Sequence, residues 1–249
     1  MTLSKKYINK RCVYCLEFFE RLEEEHVFPL SWYSDSMPDN IEKIKVPACK
    51  ECNRKYKPIE EDLRLRIGLC LDPNNPSSLG IPERTIRSVD PNSGRDENDK
   101  YQRMQKRQSL LKKIMHAKRL PLNSIYPGFG PQEGKNFEEQ DAITVSADNL
   151  RMFGEKLVRG IAFSQKGIYI EKDHKIDIKF EGAINPVPIV ELIKAAGKYY
   201  EWSTAIRAGV FFAYGDPQCS VFDLLLWGSF RFYAFITLKA THQVSEINP

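Results

Sequence analysis

Four of the six cysteines fall into two Cys-x-x-Cys pairs, Cys12 with Cys15 and Cys49 with Cys52, and no other feature constrains this chain so tightly. Each pair sets two thiols on one tight turn. Two such turns supply the four-sulfur tetrahedron that zinc prefers, with bonds of about 2.3 Å. A site with four protein ligands is closed, so the zinc expected here is structural and its binding contributes directly to folding. Clustered thiols stay available to metal where disulfides do not form, which fits a cytoplasmic protein. Residues Met1 to Arg11 carry Lys5, Lys6, Lys10 and Arg11 but no apolar core of a secretory signal. A membrane span is not expected either. The longest apolar runs, Ala205 to Tyr214 and Ser220 to Gly228, are interrupted by Arg207 and Asp223 and fall short of the roughly 18 residues a span needs.

With 249 residues, 42% of them hydrophobic, the chain can build a core without disulfides. Composition divides it into a Cys/His head (1–71), a polar and basic middle (72–141) and an apolar tail (142–249). In the head, Pro58 suits a first helical position, Glu60 and Glu61 suit the positive end, and Ile59, Leu63, Ile67 and Cys70 recur at helical spacing. The middle opens on the turn formers Asp72 to Ser78, read as a surface hinge or linker. A second helix is expected from Glu97 to Leu120, with Tyr101, Met104, Leu111 and Met115 on one stripe. Between Lys100 and Arg119 it carries eight Lys or Arg and no acid. Such a face repels itself unless an anion covers it.

The tail alternates apolar and polar residues over Gly167 to Glu171 and over Lys175 to Phe180, the period of half-buried strands. Gly209 to Tyr214 and Phe230 to Ile236 add aromatic strands, and helices are expected over Asp148 to Ile161 and Val187 to Lys198. The fold class is therefore α+β, with an antiparallel sheet in a tail that serves as scaffold, recognition element or dimerisation surface. The aromatic density of Phe211, Phe212, Tyr214, Trp227, Phe230, Phe232, Tyr233 and Phe235 fits a sheet core better than a platform for stacked bases.

Between the cysteine pairs lies Glu25-His26-Val27-Phe28-Pro29, and Asn53 follows Cys52 directly. A bare zinc knuckle needs none of these. The succession Cys-x-x-Cys, acid-His, Cys-x-x-Cys-Asn resembles the HNH, or His-Me finger, endonuclease family, and most of all its phage members that carry four-cysteine zinc knuckles and resolve branched DNA. The resemblance covers roughly residues 12–61. It implies a ββα-metal unit stapled by Cys12, Cys15, Cys49 and Cys52, with His26 as general base and Glu25 and Asn53 holding one Mg2+ or Mn2+ through oxygen. The chemistry is coherent in its own right. Phosphodiester hydrolysis needs a base that titrates near neutrality and a hard cation to stabilise charge on phosphate and leaving oxygen. Oxygen ligands of this kind select magnesium or manganese.

The chain departs from the family pattern twice. Glu25 stands where Asp is commoner, and the middle Asn has no clear counterpart, since Asn40 precedes Cys49 by nine residues and Ile44 sits nearer the usual place. His116, His174 and His242 read as surface residues, and Cys70 and Cys219 as core thiols.

A net charge of +4 suits a polyanionic partner, DNA first and RNA second, and its distribution carries more information than its size. Lys106, Arg107, Lys112, Lys113, Lys118 and Arg119 on the basic segment, with Arg54, Lys55 and Lys57 beside the acid-His motif, are the expected phosphate contacts. The expected activity is hydrolysis of DNA phosphodiester bonds, of a kind used in antiphage defence or by mobile elements. The alternative is a non-catalytic zinc-knuckle adaptor for nucleic acid or protein, in which Glu25, His26 and Asn53 are incidental.

Overall fold

The computed structural model describes residues 3–38, 40–116 and 139–239. Its architecture is α+β. The chain begins with a hairpin of β1 (Leu3–Arg11) and β2 (Phe18–His26), and β3 (Lys45–Ala48) pairs with β2 to complete a three-stranded antiparallel sheet. Helix α1 (Lys50–Gly68) follows at once. The expectation that Pro58 opens this helix is corrected: α1 starts eight residues earlier and Pro58 lies inside it. Cys49 supplies the start, because its sulfur accepts from the Cys52 amide and its carbonyl from the Asn53 amide. An interior proline costs about 3 kcal/mol, more than a cap returns, and the buried face of Tyr56, Ile59, Leu63 and Ile67 carries the helix through it.

The middle holds α2 (Ile81–Arg87), α3 (Glu97–Leu111) and a two-stranded ribbon of β4 (Ile114–His116) and β5 (Asp141–Ile143). The basic helix is therefore shorter than its composition suggests. It closes at Leu111 with Lys112 as cap, His116 lies on β4, and residues 117–120 fall outside the described residues. The expected apolar stripe is not buried: Tyr101, Met104, Leu111 and Met115 are all exposed, and Leu110 alone on α3 is buried. The turn-rich segment that begins at Asp72 packs against the rest of the chain. Ser36 donates to the Pro76 carbonyl at 2.7 Å and also bonds the Thr204 hydroxyl.

In the tail, α4 (Ala147–Lys166), β6 (His174–Phe180), α5 (Val187–Ala196), β7 (Lys198–Ser203), β8 (Ile206–Phe212), β9 (Ser220–Leu226) and β10 (Phe230–Leu238) form an antiparallel sheet of order β6-β10-β9-β8-β7 with two helices. Strand periodicity sorts the aromatics by face. Phe230, Phe232, Ala234 and Ile236 of β10 enter the main core, while Tyr233 and Phe235 meet Ile189 and Ile193 of α5. The expected strand at Gly167 to Glu171 is absent; this segment leaves α4 without pairing and buries Ile170 alone.

Head and tail share one core. Trp32 lies 4.4 Å from the Phe153 ring and 4.5 Å from that of Trp227, ring centroid to centroid, and the Trp227 indole donates to the Trp32 carbonyl at 2.7 Å. Helix α4 approaches the end of β2 so closely that a Cβ at Gly160 would meet both methyls of Val27 at 2.7 Å. One turn earlier on α4, Lys156 meets the acid-His motif.

Candidate metal centre and its charged neighbour

The loop between β1 and β2 is a tight knuckle. Leu16 adopts a left-handed backbone with φ 69°, its amide donates to the Cys12 carbonyl at 2.9 Å, and the Cys12 amide donates to the Glu17 carbonyl at 2.9 Å. The Val13 amide ties this turn to the Pro47 carbonyl of β3 at 3.0 Å. Cys12 and Cys15 thus face Cys49 and Cys52 on the first turn of α1, and the ligand atoms of all four lie within 4.8 Å of one another. The Cys15 and Cys49 sulfurs are 3.9 Å apart, close to the edge of about 3.8 Å of a tetrahedron with 2.3 Å zinc–sulfur bonds. These residues form a cluster able to hold a structural metal such as zinc. Hydrogen bonds from Cys52 and from the Cys15, Cys49 and Tyr14 backbone, opposed by burial, bring the Cys12 thiol down to about 5. Burial drives Cys15 up to about 11. A metal would hold all four as thiolates.

The expected catalytic trio is not assembled as the motif suggests. Glu23 and Glu25 share the face of β2 that looks toward the helices, and strand alternation sends Glu24 and His26 to the other. Asn53 donates its amide to Glu23, at 2.6 Å, rather than to Glu25. Glu25 accepts from Lys156 of α4 at 2.8 Å, and the same ammonium bonds Glu60 of α1 and the His26 carbonyl at 3.1 Å. Lys156 is fully buried, with the Tyr14 and Tyr56 rings each 5.8 Å from its nitrogen. Three oxygens and two ring faces around one cation make a complete site for that ammonium. Glu60 is pushed up by burial, with Lys156 opposing the shift.

His26, on the face of Glu24 and Lys45, is held below its ordinary value of 6.5 by burial and then by Lys45, Lys43 and Lys156. It is therefore largely neutral at neutral pH. Among the described residues its Nδ1 is buried without a partner, and so is the Oδ1 of Asn53. Among the described residues no group of three His, Cys, Asp or Glu ligands gathers at Glu25.

The residues expected on phosphate are exposed where described: Arg54, Lys55 and Lys57 along α1, Lys106 and Arg107 on α3, and Lys112 and Lys113 just beyond it. Lys118 and Arg119 lie outside the described residues, as does His242. Nearby, Arg84, Arg87, Ser88, Ser93 and Arg103 line an open cleft of about 320 Å³. Arg84 bonds Asp35 and Arg103 bonds Asp99; Arg87 has no ion pair among the described residues.

Lys156, Glu60 and Glu23 escaped the motif reading. A signal for Lys156 was present, since it falls within the apolar stripe of Phe153, Leu157, Gly160 and Ile161 at helical spacing. His174 is corrected from surface to core: it opens β6 and is 5% exposed. Cys70 and Cys219, read as core thiols, are each half-buried.

Comparison with family models, curated proteins and solved structures gave no match. No helix among the described residues is long and apolar enough to cross a membrane.

Proposed function

We propose that the chain is a zinc-stapled endonuclease of the HNH kind that hydrolyses DNA phosphodiester bonds with one divalent metal, the four cysteines holding the zinc of a ββα-metal unit. The observation that carries this reading is Asn53. This residue directly follows a cysteine of the cluster, and its Oδ1 is buried beside the buried carboxylate of Glu23 without a partner among the described residues. An unsatisfied buried acceptor costs about 1–3 kcal/mol, and a hard cation would relieve it.

Asn53 would hold Mg2+ or Mn2+ together with a β2 carboxylate. Glu23 is already bonded to Asn53, whereas Glu25 must first release Lys156. The metal would stabilise charge on the phosphate and the leaving oxygen. His26, neutral and with a free Nδ1, has the protonation state of a general base. For it to serve Asn53, its ring must move from the Lys45 side of the sheet when substrate binds. The exposed lysines and arginines of α1, of α3 and of the turn after it, with the arginine cleft, would contact phosphates without reading sequence.

A second reading is favoured by Lys156. Its ammonium satisfies Glu25 and Glu60 without any metal, as a non-catalytic zinc-knuckle adaptor for nucleic acid would have it. Metal-dependent nicking of supercoiled plasmid separates the two. The nuclease reading expects nicking with Mg2+ or Mn2+, none in EDTA, and a loss of at least about 100-fold in Asn53→Ala, the scale of removing one charge-stabilising group. Undiminished cleavage by Asn53→Ala, or none by the wild type on linear, branched and RNA substrates alike, would leave the adaptor.

A further inference from the structure

A second cluster of metal-ligand residues lies in the tail. It stands apart from the nuclease motif. His174 opens β6, and Asp216 and Cys219 sit on the turn joining β8 to β9; one ligand atom from each lies within 4.8 Å of the others. Two donors converge on one oxygen, because Asp216 Oδ2 meets His174 Nε2 at 3.1 Å and Cys219 Sγ at 3.4 Å. The other carboxylate oxygen, Oδ1, is held by the Gln218 amide at 3.0 Å, which fixes the carboxylate plane. On the far side of the imidazole, Nδ1 lies 2.7 Å from Asp173.

We propose that His174, Asp216 and Cys219 form a second zinc site, with three protein ligands and a fourth position open to solvent. The chemistry of the donors supports this. One imidazole, one carboxylate and one thiolate are the three ligand types zinc accepts, and a three-ligand set leaves a coordination position free. For tetrahedral zinc with ordinary bond lengths, the nitrogen–oxygen and sulfur–oxygen edges are about 3.4 Å and 3.6 Å. These two observed separations fall within about 0.3 Å of the tetrahedral edges, and the third pair, nitrogen and sulfur, lies within 4.8 Å. A carboxylate on the second nitrogen of a ligating histidine orients the ring and raises its basicity, and Asp173 is placed to do this.

The turn itself repeats the logic of the knuckle. Asp216 and Cys219 are three residues apart, as Cys12 and Cys15 are, and the Cys219 amide closes the turn on the Asp216 carbonyl at 2.9 Å. His174 is 2% exposed in its side chain and Asp216 41%, which combines a rigid inner ligand with an entry path from solvent.

The position has a structural consequence. The segment just before His174 clasps the first knuckle: Glu171 makes a paired salt bridge to Arg11 at 2.6 and 2.8 Å, Lys172 bonds Glu17 at 2.8 Å, and the Glu171 amide donates to Gln218 at 2.8 Å. Zinc at His174 would thus fasten the turn after β8 to the segment that grips the four-cysteine knuckle. The site does not depend on whether the head cleaves DNA.

Zinc counting by native mass spectrometry tests it, on full-length protein equilibrated with a slight excess of zinc and buffer-exchanged under non-denaturing conditions. Two zinc ions per chain are expected for the wild type, and one each for His174→Ala and Cys219→Ser. Cys219→Ser is close to isosteric at a half-buried position, so it carries the test if the alanine variant fails to fold. A single zinc in the wild type, or two in folded Cys219→Ser, would overturn the proposal.

Discussion

Two clusters flank α1, and they are assembled by different means. The four cysteines approach from two local turns, each pair three residues apart, with ligands supplied by the knuckle and by the helix cap. The charged cluster gathers Glu25 from β2, Glu60 from the middle of α1 and Lys156 from a helix 131 residues beyond Glu25. The contrast shows which parts of a site a sequence announces. Where the ligands are local, spacing alone names them. Where the partner arrives through tertiary packing, residue type names the acid but not what satisfies it.

The strongest perturbation falls on the cysteine cluster. Cys49→Ser, or removal of zinc by a strong chelator, should unfold the knuckle and the start of α1, since structural zinc contributes about 10–16 kcal/mol in small zinc domains at neutral pH. Loss of far-ultraviolet helical signal and of a cooperative melt, restored by added zinc in the wild type alone, is the result to look for. A chelated protein that melts unchanged would remove the structural role.

Next in size is Lys156→Met, which roughly keeps the volume and leaves the buried Glu60 and the half-buried Glu25 without their cation. A loss of about 3–5 kcal/mol is expected in denaturant unfolding, the cost of breaking a buried pair from one side. Adding Glu60→Gln should return part of it. If the single variant is neutral, the ammonium does not hold the cluster together. The same variant bears on function: by freeing Glu25 it should tighten divalent-metal binding under the nuclease reading and leave it unchanged under the adaptor reading.

How much could be read in advance follows the same division. The four-cysteine cluster, the strands at Lys175 to Phe180 and Phe230 to Ile236, and helix α4 were legible because each rests on short-range spacing or period. Pro58 misled because Cys49 capped α1 upstream of it. The basic segment read as one long helix because charge density says nothing about where a chain turns, and the four residues of its expected apolar stripe lie exposed. Gly167 to Glu171 alternates like a strand, yet its polar groups pair with side chains, those of Arg11, Arg159 and Gln218. His174 passed for a surface residue because nothing within a few positions of it announces Asp216 and Cys219.

Smaller effects concern the surface. Charge reversal at Lys106, Arg107, Lys112 or Lys113 should weaken DNA binding without selecting among sequences, and each phosphate interaction removed should reduce the salt slope of log K by about 0.9. Equal slopes in wild type and a fourfold variant would take this face out of the interface.

The smallest is a pH effect at His26. Its folded value lies below 6.5, so the neutral ring is favoured in the fold; this contribution is present above 6.5 and is lost as pH falls through that value toward the depressed one. His26→Gln should therefore flatten the fall in melting temperature between about pH 7 and about pH 5. An unchanged profile would mean that the ring is not desolvated by the fold.

The nuclease reading stands or falls most directly on plasmid cleavage by wild type and His26→Ala in parallel, with EDTA, Mg2+ and Mn2+ compared and zinc counted on the same samples. The expected result is metal-dependent nicking by the wild type and none by His26→Ala, with equal zinc in both proteins. Full cleavage by His26→Ala at equal zinc content would contradict the assignment of the base and, with it, the HNH reading of the head.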